Sequence, residues 1–174
     1  MPTTPLLSLP DGLEITSISE IEQELQVRVT SNRMSSLCPR CSTPSSGIHS
    51  YYRRKPLELP CAGKKVRLLL SVKKFFCRVA SCPRKIFTER LPELLEPSSR
   101  LTTRLRTIVQ AICSAFNAQG GARLAEQLGI RLSRTTFLNS VHLMPTPPVG
   151  KVKAVGIDDF AWKRGKRYGT VIVE

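Results

Sequence analysis

Two closely spaced pairs of cysteines constrain the fold of this chain more than any other feature of its sequence. Cys38 and Cys41 are separated by two residues, Cys77 and Cys82 are separated by four, and a basic segment lies between the pairs. Zn²⁺ binds four thiolates in a tetrahedron, and a two-residue knuckle directs two thiolates at one ion. The alternatives are two disulfides or four buried free thiols, but close pairs are poor disulfide partners and nothing in the sequence indicates an oxidising compartment. The spacing therefore predicts a structural zinc ion held by all four cysteines.

The charge of the chain indicates a polyanionic partner. The 174 residues include 27 lysines and arginines against 13 aspartates and glutamates, which gives a net charge of +14. Such an excess is typical of proteins that bind nucleic acid. A solvated surface is the alternative, but it does not require so strong a bias toward one sign. Acidic residues outnumber basic ones in residues 1–36, so we expect the basic surface to begin at the zinc site.

Targeting signals are not visible in the sequence. No stretch approaches the roughly 18 consecutive apolar residues of a membrane helix, and the N-terminus lacks the basic start of a secretory signal. We therefore expect a cytoplasmic, nucleoid-associated protein without a membrane partner, in a compartment where thiols stay reduced.

Short alternations of apolar and polar residues predict strands in the first half of the chain. One pair of strands is expected at residues 13–15 and 25–29, with the connection near residues 19–22. The segment 64–76 is rich in β-branched, aliphatic and aromatic residues and predicts one or two strands that deliver Cys77 to the metal.

A cluster of bases next to aromatic residues lies between the cysteine pairs. Arg53, Arg54 and Lys55 follow Tyr51 and Tyr52. Arginine and lysine can neutralise phosphates while a tyrosine stacks or donates a hydrogen bond, so this segment is a candidate DNA contact. The alternative is that both tyrosines simply cover the small zinc core.

Three other potential ligands are left out of the zinc site. His49 is excluded because four cysteines already complete the tetrahedron. Cys61 and Cys113 have no close partner, and we expect each to be a small buried hydrophobe.

The segment after Pro97 predicts a one-sided helix. Ser98 or Ser99 is expected to cap it and Gly120-Gly121 to end it. Its apolar positions recur at steps of three and four residues: Leu101, Leu105, Ile108, Val109, Ile112 and Phe116.

The next segment predicts a helix-turn-helix. Gly129 permits a left-handed turn after a short helix that contains Leu124, Ala125 and Leu128, and Ile130 fills the junction. Ser133 can cap a third helix that buries Phe137, Leu138 and Val141. The outward residues suit contact with bases or phosphates, and the candidate DNA-binding residues are Arg131, Arg134, Thr135, Thr136 and Asn139. Any three-helix packing unit can show the same pattern, which is the alternative.

The last part of the chain predicts a β-hairpin after a stiff proline-rich linker. A short apolar strand is expected to end at Asp158 and Asp159, followed by a basic turn at residues 163–167 and a second strand at 168–173. An acid at the end of a buried strand can hold the divalent ions of a nuclease. The alternative is an ordinary turn, because the signal is weak by itself.

These motifs together resemble the ISL-three family of insertion-sequence transposases. The matching segments are residues 38–41, 49–54, 75–77, 82–92, 129 with 133–136, and 156–170. The resemblance implies an N-terminal zinc-binding domain, a helix-turn-helix and the opening of a DDE catalytic domain with a ribonuclease-H-like fold. It also implies that Asp158 is the first acid of the DDE triad, with Mg or Mn as the catalytic ion of the full-length relative only.

The expected fold class is α+β with several domains. Residues 1–92 would form strands and the zinc module, 93–144 the helix-turn-helix, 145–153 a linker, and 154–174 the truncated start of the catalytic domain. Under the resemblance the other two acids are absent, so we expect DNA binding without cleavage.

The expected partner is double-stranded DNA, namely the terminal inverted repeats of the element. A second copy of the chain or a full-length transposase is a further expected partner. Two alternatives stay open: a free-standing zinc-dependent DNA-binding regulator or transposition inhibitor, and a zinc-ribbon protein that binds RNA.

Overall fold

The computed structural model describes residues 7, 9–116, 118–144, 155–163 and 165–173. Their strands and helices follow in the order β1 (Leu13–Ile21), β2 (Glu24–Ser31), β3 (Ser36–Leu37), β4 (Pro44–Ser45), β5 (Ile48–Arg54), β6 (Leu57–Cys61), β7 (Lys64–Phe76), β8 (Ile86–Thr88), α1 (Thr103–Ala115), α2 (Ala118–Gln127), α3 (Arg134–His142), β9 (Gly156–Lys163) and β10 (Arg167–Val173). The chain divides into two compact units, Met1–Leu143 and Met144–Glu174. No helix among the described residues is long and apolar enough to cross a membrane.

Strand β7 organises the first unit. It pairs in parallel with β2 and antiparallel with β5, β6 and β8, while β1 extends the sheet beyond β2. The prediction of one or two strands over residues 64–76 is confirmed as a single strand. The predicted hairpin of β1 and β2 is present, but its connection lies at residues 22–23 instead of 19–22: β1 continues to Ile21, and left-handed backbone at Glu22 and Gln23 (φ 49° and 62°) forms the tight turn.

Alternating residues of β7 bury one face of the sheet. Val66, Leu68, Leu70 and Val72 point to the same side and are at most 2% exposed. They pack with Val27 and Val29 of β2 and with a short segment after β8, whose buried residues are Leu91, Leu94 and Leu95. The period of two in the sequence of β7 is thus the period of burial.

The three helices form a second hydrophobic cluster within the same unit. Its buried residues are Leu101, Leu105, Val109, Ile112, Ala125, Ile130 and Phe137. Leu57 and Leu59 of β6 pack against this cluster, so the helices share apolar contacts with the sheet. The proposed division between residues 1–92 and 93–144 therefore separates two parts that contact each other.

The first helix begins and ends at residues other than those predicted. Its N-cap is Thr102, whose side chain accepts a hydrogen bond from the amide of Leu105, whereas Ser99 accepts one from the amide of Leu101. Helix α1 ends at Ala115. The predicted end at Gly120-Gly121 is wrong because both glycines lie inside α2.

The buried faces of α1 and α3 also differ from the prediction. Ile108 and Phe116 are exposed, and so are Leu138 and Val141 of α3. Phe137 is fully buried as expected, and α3 presents Ser140 to the interior instead. That hydroxyl is satisfied because it donates a hydrogen bond of 2.9 Å to the carbonyl of Thr136.

The second unit contains an antiparallel hairpin of β9 and β10. The predicted hairpin is present, but Asp158 and Asp159 do not end its first strand, because pairing continues to Lys163. All residues of β9 are exposed, so this strand is not buried within the described residues. The predicted linker, residues 145–153, lies outside the described residues.

Candidate metal centre and nucleic-acid interface

The backbone around the four cysteines forms two tight loops. Cys38 lies between β3 and β4, where its amide donates to the carbonyl of Thr43 and its carbonyl accepts from Ser42. Cys77 follows β7 directly, and its amide donates a hydrogen bond to the carbonyl of Lys85. The amide of Cys82 donates to the carbonyl of Val79, which closes a turn. Strand β7 thus brings the second pair to the first, as the sequence predicted.

The structure brings the four sulfurs together. All of them lie within 4.8 Å of one another, with 3.9 Å between the Sγ atoms of Cys38 and Cys82 and 3.6 Å between those of Cys41 and Cys77. A tetrahedral Zn²⁺ with Zn–S bonds of about 2.3 Å requires sulfurs about 3.8 Å apart, whereas a disulfide requires about 2.0 Å. All four thiols are free. The donor set therefore fits one zinc ion and excludes the two-disulfide alternative.

The cysteine cluster favours a bound cation, because four thiolates so close together would repel one another strongly. Hydrogen bonds from the side chain and backbone of Thr43 lower the pKa of Cys41 to about 6. The backbone N–H of Val79 lowers the pKa of Cys77, but burial and the neighbouring cysteine sulfurs together outweigh it and raise this pKa to about 12. A divalent ion removes the repulsion among thiolates, since metal binding requires and stabilises the deprotonated form.

Two stacked aromatic rings support the cysteine loops from the sheet. Phe75 and Phe87 are buried, with ring centroids 5.9 Å apart, and they form one hydrophobic cluster with Cys38, Cys77 and Cys82. This cluster gives the metal centre a rigid base on β7 and β8.

The residues left out of the zinc site lie away from the cluster. His49 is exposed and meets the ring of Phe76 edge-on, with centroids 4.8 Å apart. Cys61 packs against the core of the sheet and Cys113 against the helices, and both are half-buried. Burial raises the pKa of Cys113, which is typical of a thiol that packs as an apolar group.

The turn between α2 and α3 has the local features that the sequence predicted for it. Gly129 adopts the predicted left-handed backbone, with φ +80°, and the amide of Ile130 donates to the carbonyl of Ala125 over 2.8 Å. Ala125 and Ile130 are buried at the junction. Ser133 is the N-cap of α3, as predicted. A small residue at 125 and a glycine at 129 thus let the two helices meet.

Most of the predicted DNA-contact residues of this motif are exposed. Arg131, Arg134, Thr135 and Asn139 are open to solvent at the turn and on α3. Thr136 is half-buried, and both its amide and its hydroxyl lie within hydrogen-bonding distance of the Ser133 hydroxyl. Thr136 therefore completes the cap of α3 and is less available to a ligand than the other four.

The three basic residues at the end of β5 also differ in their exposure to solvent. Arg53 and Lys55 are exposed, but Arg54 is half-buried and donates to the carbonyls of Glu96 and Ser99 at 3.4 and 2.6 Å. Burial lowers the pKa of Arg54. Arg54 thus fixes the segment before α1, a role that the sequence did not indicate.

The two tyrosines before this segment do not cover the zinc core. Tyr51 is 63% exposed and Tyr52 46% exposed. The ammonium of Lys74 lies 5.1 Å from the centroid of the Tyr52 ring, a cation–π contact.

Two acids of the second unit, Asp158 and Asp159, are consecutive residues of β9 and have different contacts. Asp158 is exposed and pairs across the hairpin with Val171. Asp159 accepts a hydrogen bond of 2.8 Å from the hydroxyl of Thr170. The described residues 155–163 and 165–173 of this unit contain no third acid.

A buried carboxylate that the sequence analysis missed joins the sheet to the helices. Glu58 is 2% exposed and accepts hydrogen bonds from the hydroxyl of Thr102, the amide of Leu59 and the guanidinium of Arg104, at 3.2, 2.8 and 3.0 Å. The sequence signal was an acid between two leucines of a predicted β-rich segment. Such a residue has to find partners when it is buried.

Comparison with known proteins supports the same assignment of the zinc module. The family described as the zinc-finger of transposase IS204/IS1001/IS1096/IS1165 matches residues 35–82, which include all four cysteines. A curated relative, the transposase for insertion sequence element IS1001 of Bordetella parapertussis, is 29% identical over 141 residues. The alignment covers 79% of this chain and 33% of the relative, so the chain spans about a third of that protein. No solved structure matches the chain significantly.

Proposed function

Because these comparisons confirm that the chain resembles the ISL-three transposases, we propose that it is the DNA-binding part of such a transposase. In this proposal it recognises the terminal inverted repeats of an insertion sequence as duplex DNA. The observation that carries the proposal is the pairing of two modules in one compact unit, a four-cysteine cluster suited to zinc and a helix-turn-helix with exposed basic and amide side chains.

Each module has a separate task. Helix α3 offers Arg134 and Asn139 to base edges, since an arginine pairs with guanine and an asparagine with adenine in the major groove. Arg131 and Thr135 lie beside them and suit phosphates. The zinc ion would be held by Cys38, Cys41, Cys77 and Cys82 and would stabilise the end of the sheet where the start of β5 pairs with Phe75, whereas Arg53 and Lys55 lie at the other end of β5.

The hairpin of β9 and β10 belongs to the catalytic part of this proposal. Asp158 is proposed as the first acid of the DDE triad in a ribonuclease-H-like domain, with Mg or Mn as the ion in the whole transposase. A two-metal site needs carboxylates from several elements. Strand cleavage is therefore a property that we propose for the whole transposase and not for the described residues alone. A second copy of the chain or a full-length transposase stays a proposed partner.

Sequence preference provides the test. The full chain is used to select duplexes from a random pool, and the affinities of the Arg134→Ala/Asn139→Ala variant for selected and scrambled duplexes are measured at fixed salt. Each lost base contact should cost about 1–3 kcal/mol of discrimination, so the preference should fall at least about tenfold.

The matched control is the Lys64→Ala/Lys65→Ala variant. These lysines pair with Glu20 and Glu24 at 2.5 and 3.1 Å, so their removal should leave the preference unchanged. An equal loss of preference in both variants, or a wild-type chain that favours structured RNA over every duplex, contradicts the proposal.

A further inference from the structure

A cleft of about 650 Å³ in the first unit is lined by an excess of cations. Its walls are the end of β5, the β7 residues Arg67, Leu70 and Val72, and the segment from β8 to the residues before α1. Arg53, Lys55, Arg90 and Arg100 line it and are exposed. Arg90 lies in the matching segment 82–92 but was not a candidate DNA contact, and Arg100 belongs to no motif found in the sequence.

These four side chains have no acidic partner among the described residues. The ion pairs of the described chain join Lys64, Lys65, Arg67, Arg104 and Arg106 to glutamates, and none involves the four cations of the cleft. Unpaired cations on a common wall repel one another, which raises the free energy of the unliganded protein. An anion that contacts several of them relieves this repulsion.

The acid that lines the cleft is a buried glutamate with hydrogen-bond partners in the sheet. Glu89 is 5% exposed, and its carboxylate accepts hydrogen bonds from the hydroxyl of Ser31 and the amide of Lys73, at 2.8 and 2.7 Å. It therefore anchors β8 to the sheet and forms no ion pair with the exposed cations, which outnumber it. The cleft presents positive charge to a ligand.

The backbone of the cleft wall is fixed, which suits a preformed site. Arg54 donates to the carbonyls of Glu96 and Ser99, and Arg106 pairs with Glu96 and donates to the hydroxyl of Ser99 over 2.7 Å. The carbonyl of Arg100 accepts from the amide of Leu57. Arg100 is therefore held by its main chain while its side chain stays exposed.

The positive surface continues beyond the cleft onto the open face of the sheet. A neighbouring depression of about 630 Å³ shares Arg53 and Lys55 and adds Arg28 of β2. A row of cations over two adjacent depressions is complementary to a polyanion with regularly spaced charges, more than to a single small anion.

We propose that this cleft, lined by Arg53, Lys55, Arg90 and Arg100, binds the phosphate backbone of duplex DNA as a second contact, apart from the base-reading helix α3. The inference rests on the proposed function, since it assigns a further part of the same DNA contact. Duplex DNA is favoured over single strands because Tyr52 is the one aromatic residue among those described that lines the cleft, and single-strand binding relies on several aromatic rings that stack on successive bases.

The experiment compares the salt dependence of duplex binding by the full chain and the Arg90→Ala/Arg100→Ala variant. The logarithm of the association constant is plotted against the logarithm of the salt concentration for a scrambled duplex of fixed length. Loss of two phosphate contacts should reduce the slope by about 1.8 and weaken binding about tenfold or more at physiological salt. Selected and scrambled duplexes should be affected equally, because phosphates carry no sequence information.

The Lys64→Ala/Lys65→Ala variant removes the same net charge from paired positions and serves as the control. Its slope should stay near the wild-type value. Circular dichroism of both variants confirms folding, and the Arg53→Ala/Lys55→Ala variant repeats the test if the first variant unfolds.

Three results overturn the proposal. The first is an equal slope change in the cleft variant and the control, and the second is an effect seen only with single-stranded DNA or RNA. The third is loss of binding to inorganic phosphate, at constant ionic strength, without any change in duplex binding, since the cleft would then hold a small anion. A wild-type chain that binds no duplex at all contradicts the proposed function as well, so the two failures are distinguishable.

Discussion

At the scale of single residues, the thiols divide into two sets with different chemistry. Cys38, Cys41, Cys77 and Cys82 lie within reach of one ion, while Cys61 and Cys113 pack against separate apolar clusters. The same Cys→Ser change therefore removes a metal donor in one set and only a buried sulfur in the other. This difference makes the assignment of the ligands directly testable.

We predict about one zinc ion per chain, and its loss in the Cys38→Ser/Cys82→Ser variant. A serine hydroxyl is a poor zinc ligand, and two remaining thiolates do not complete the tetrahedron. Metal analysis of the purified protein measures the zinc content. The Cys61→Ser/Cys113→Ser variant should retain its zinc, and full zinc retention in the first variant would refute the ligand set.

At the scale of secondary structure, the turn between α2 and α3 meets the end of β6 and the turn that follows it. A Cβ atom on Gly129 would lie 3.3 Å from the Cβ of Pro60 in β6 and 3.4 Å from the carbonyl oxygen of Gly63 in the connection of β6 to β7. Gly63 is also left-handed, with φ +73°, but a Cβ there would meet no atom within 4 Å. The two glycines thus share a backbone conformation and differ in their surroundings.

We expect Gly129→Ala to reduce the free energy of unfolding by about 2–3 kcal/mol and Gly63→Ala by about 1 kcal/mol. Both replacements carry the penalty of a left-handed alanine, and only the first forces a contact with the neighbouring turn. Urea unfolding monitored by circular dichroism gives both values. Equal losses would mean that the contact between the turns contributes nothing to stability.

Local patterns predicted the elements better than their ends. The cysteine spacing and the period of two in residues 64–76 are local properties, and both were confirmed as a four-sulfur cluster and a strand. Gly120 and Gly121 were misassigned to a helix end because a glycine can also serve close packing. A Cβ on Gly121 would lie 3.1 Å from Cγ2 of Ile112, a contact that depends on the tertiary fold.

The site was predicted in part for the same reason. Arg53, Arg134 and Asn139 were recognised from local sequence and are exposed. The anchoring role of Arg54 and the cap role of Thr136 depend on partners brought near by folding. Glu58 was missed because its partners, Thr102 and Arg104, lie 44 and 46 residues further along the chain.

At the scale of the whole molecule, strand β7 connects the metal centre to the helices. Its C-terminal residues pair with β8 beside the cysteines, whereas its first residues pair with β6, which contacts the helical cluster. The two ends of one strand thus support two hydrophobic clusters that are held by different interactions. Zinc holds one end, and Glu58 with the Leu57–Leu101 contact holds the other.

This arrangement predicts opposite effects from two perturbations. Removal of zinc with a chelator should abolish the amide protection of residues 75–88 and leave α1 protected, because the helical cluster contains none of the four cysteines. The Glu58→Ala variant should keep its zinc but reduce the protection of α1, since Thr102 and Arg104 lose their buried acceptor. Hydrogen exchange with mass spectrometry measures both patterns in one experiment. Simultaneous loss of protection in both regions after chelation would show that the first unit unfolds as one cooperative body, and the zinc ion would then stabilise the helices as well as its own loops.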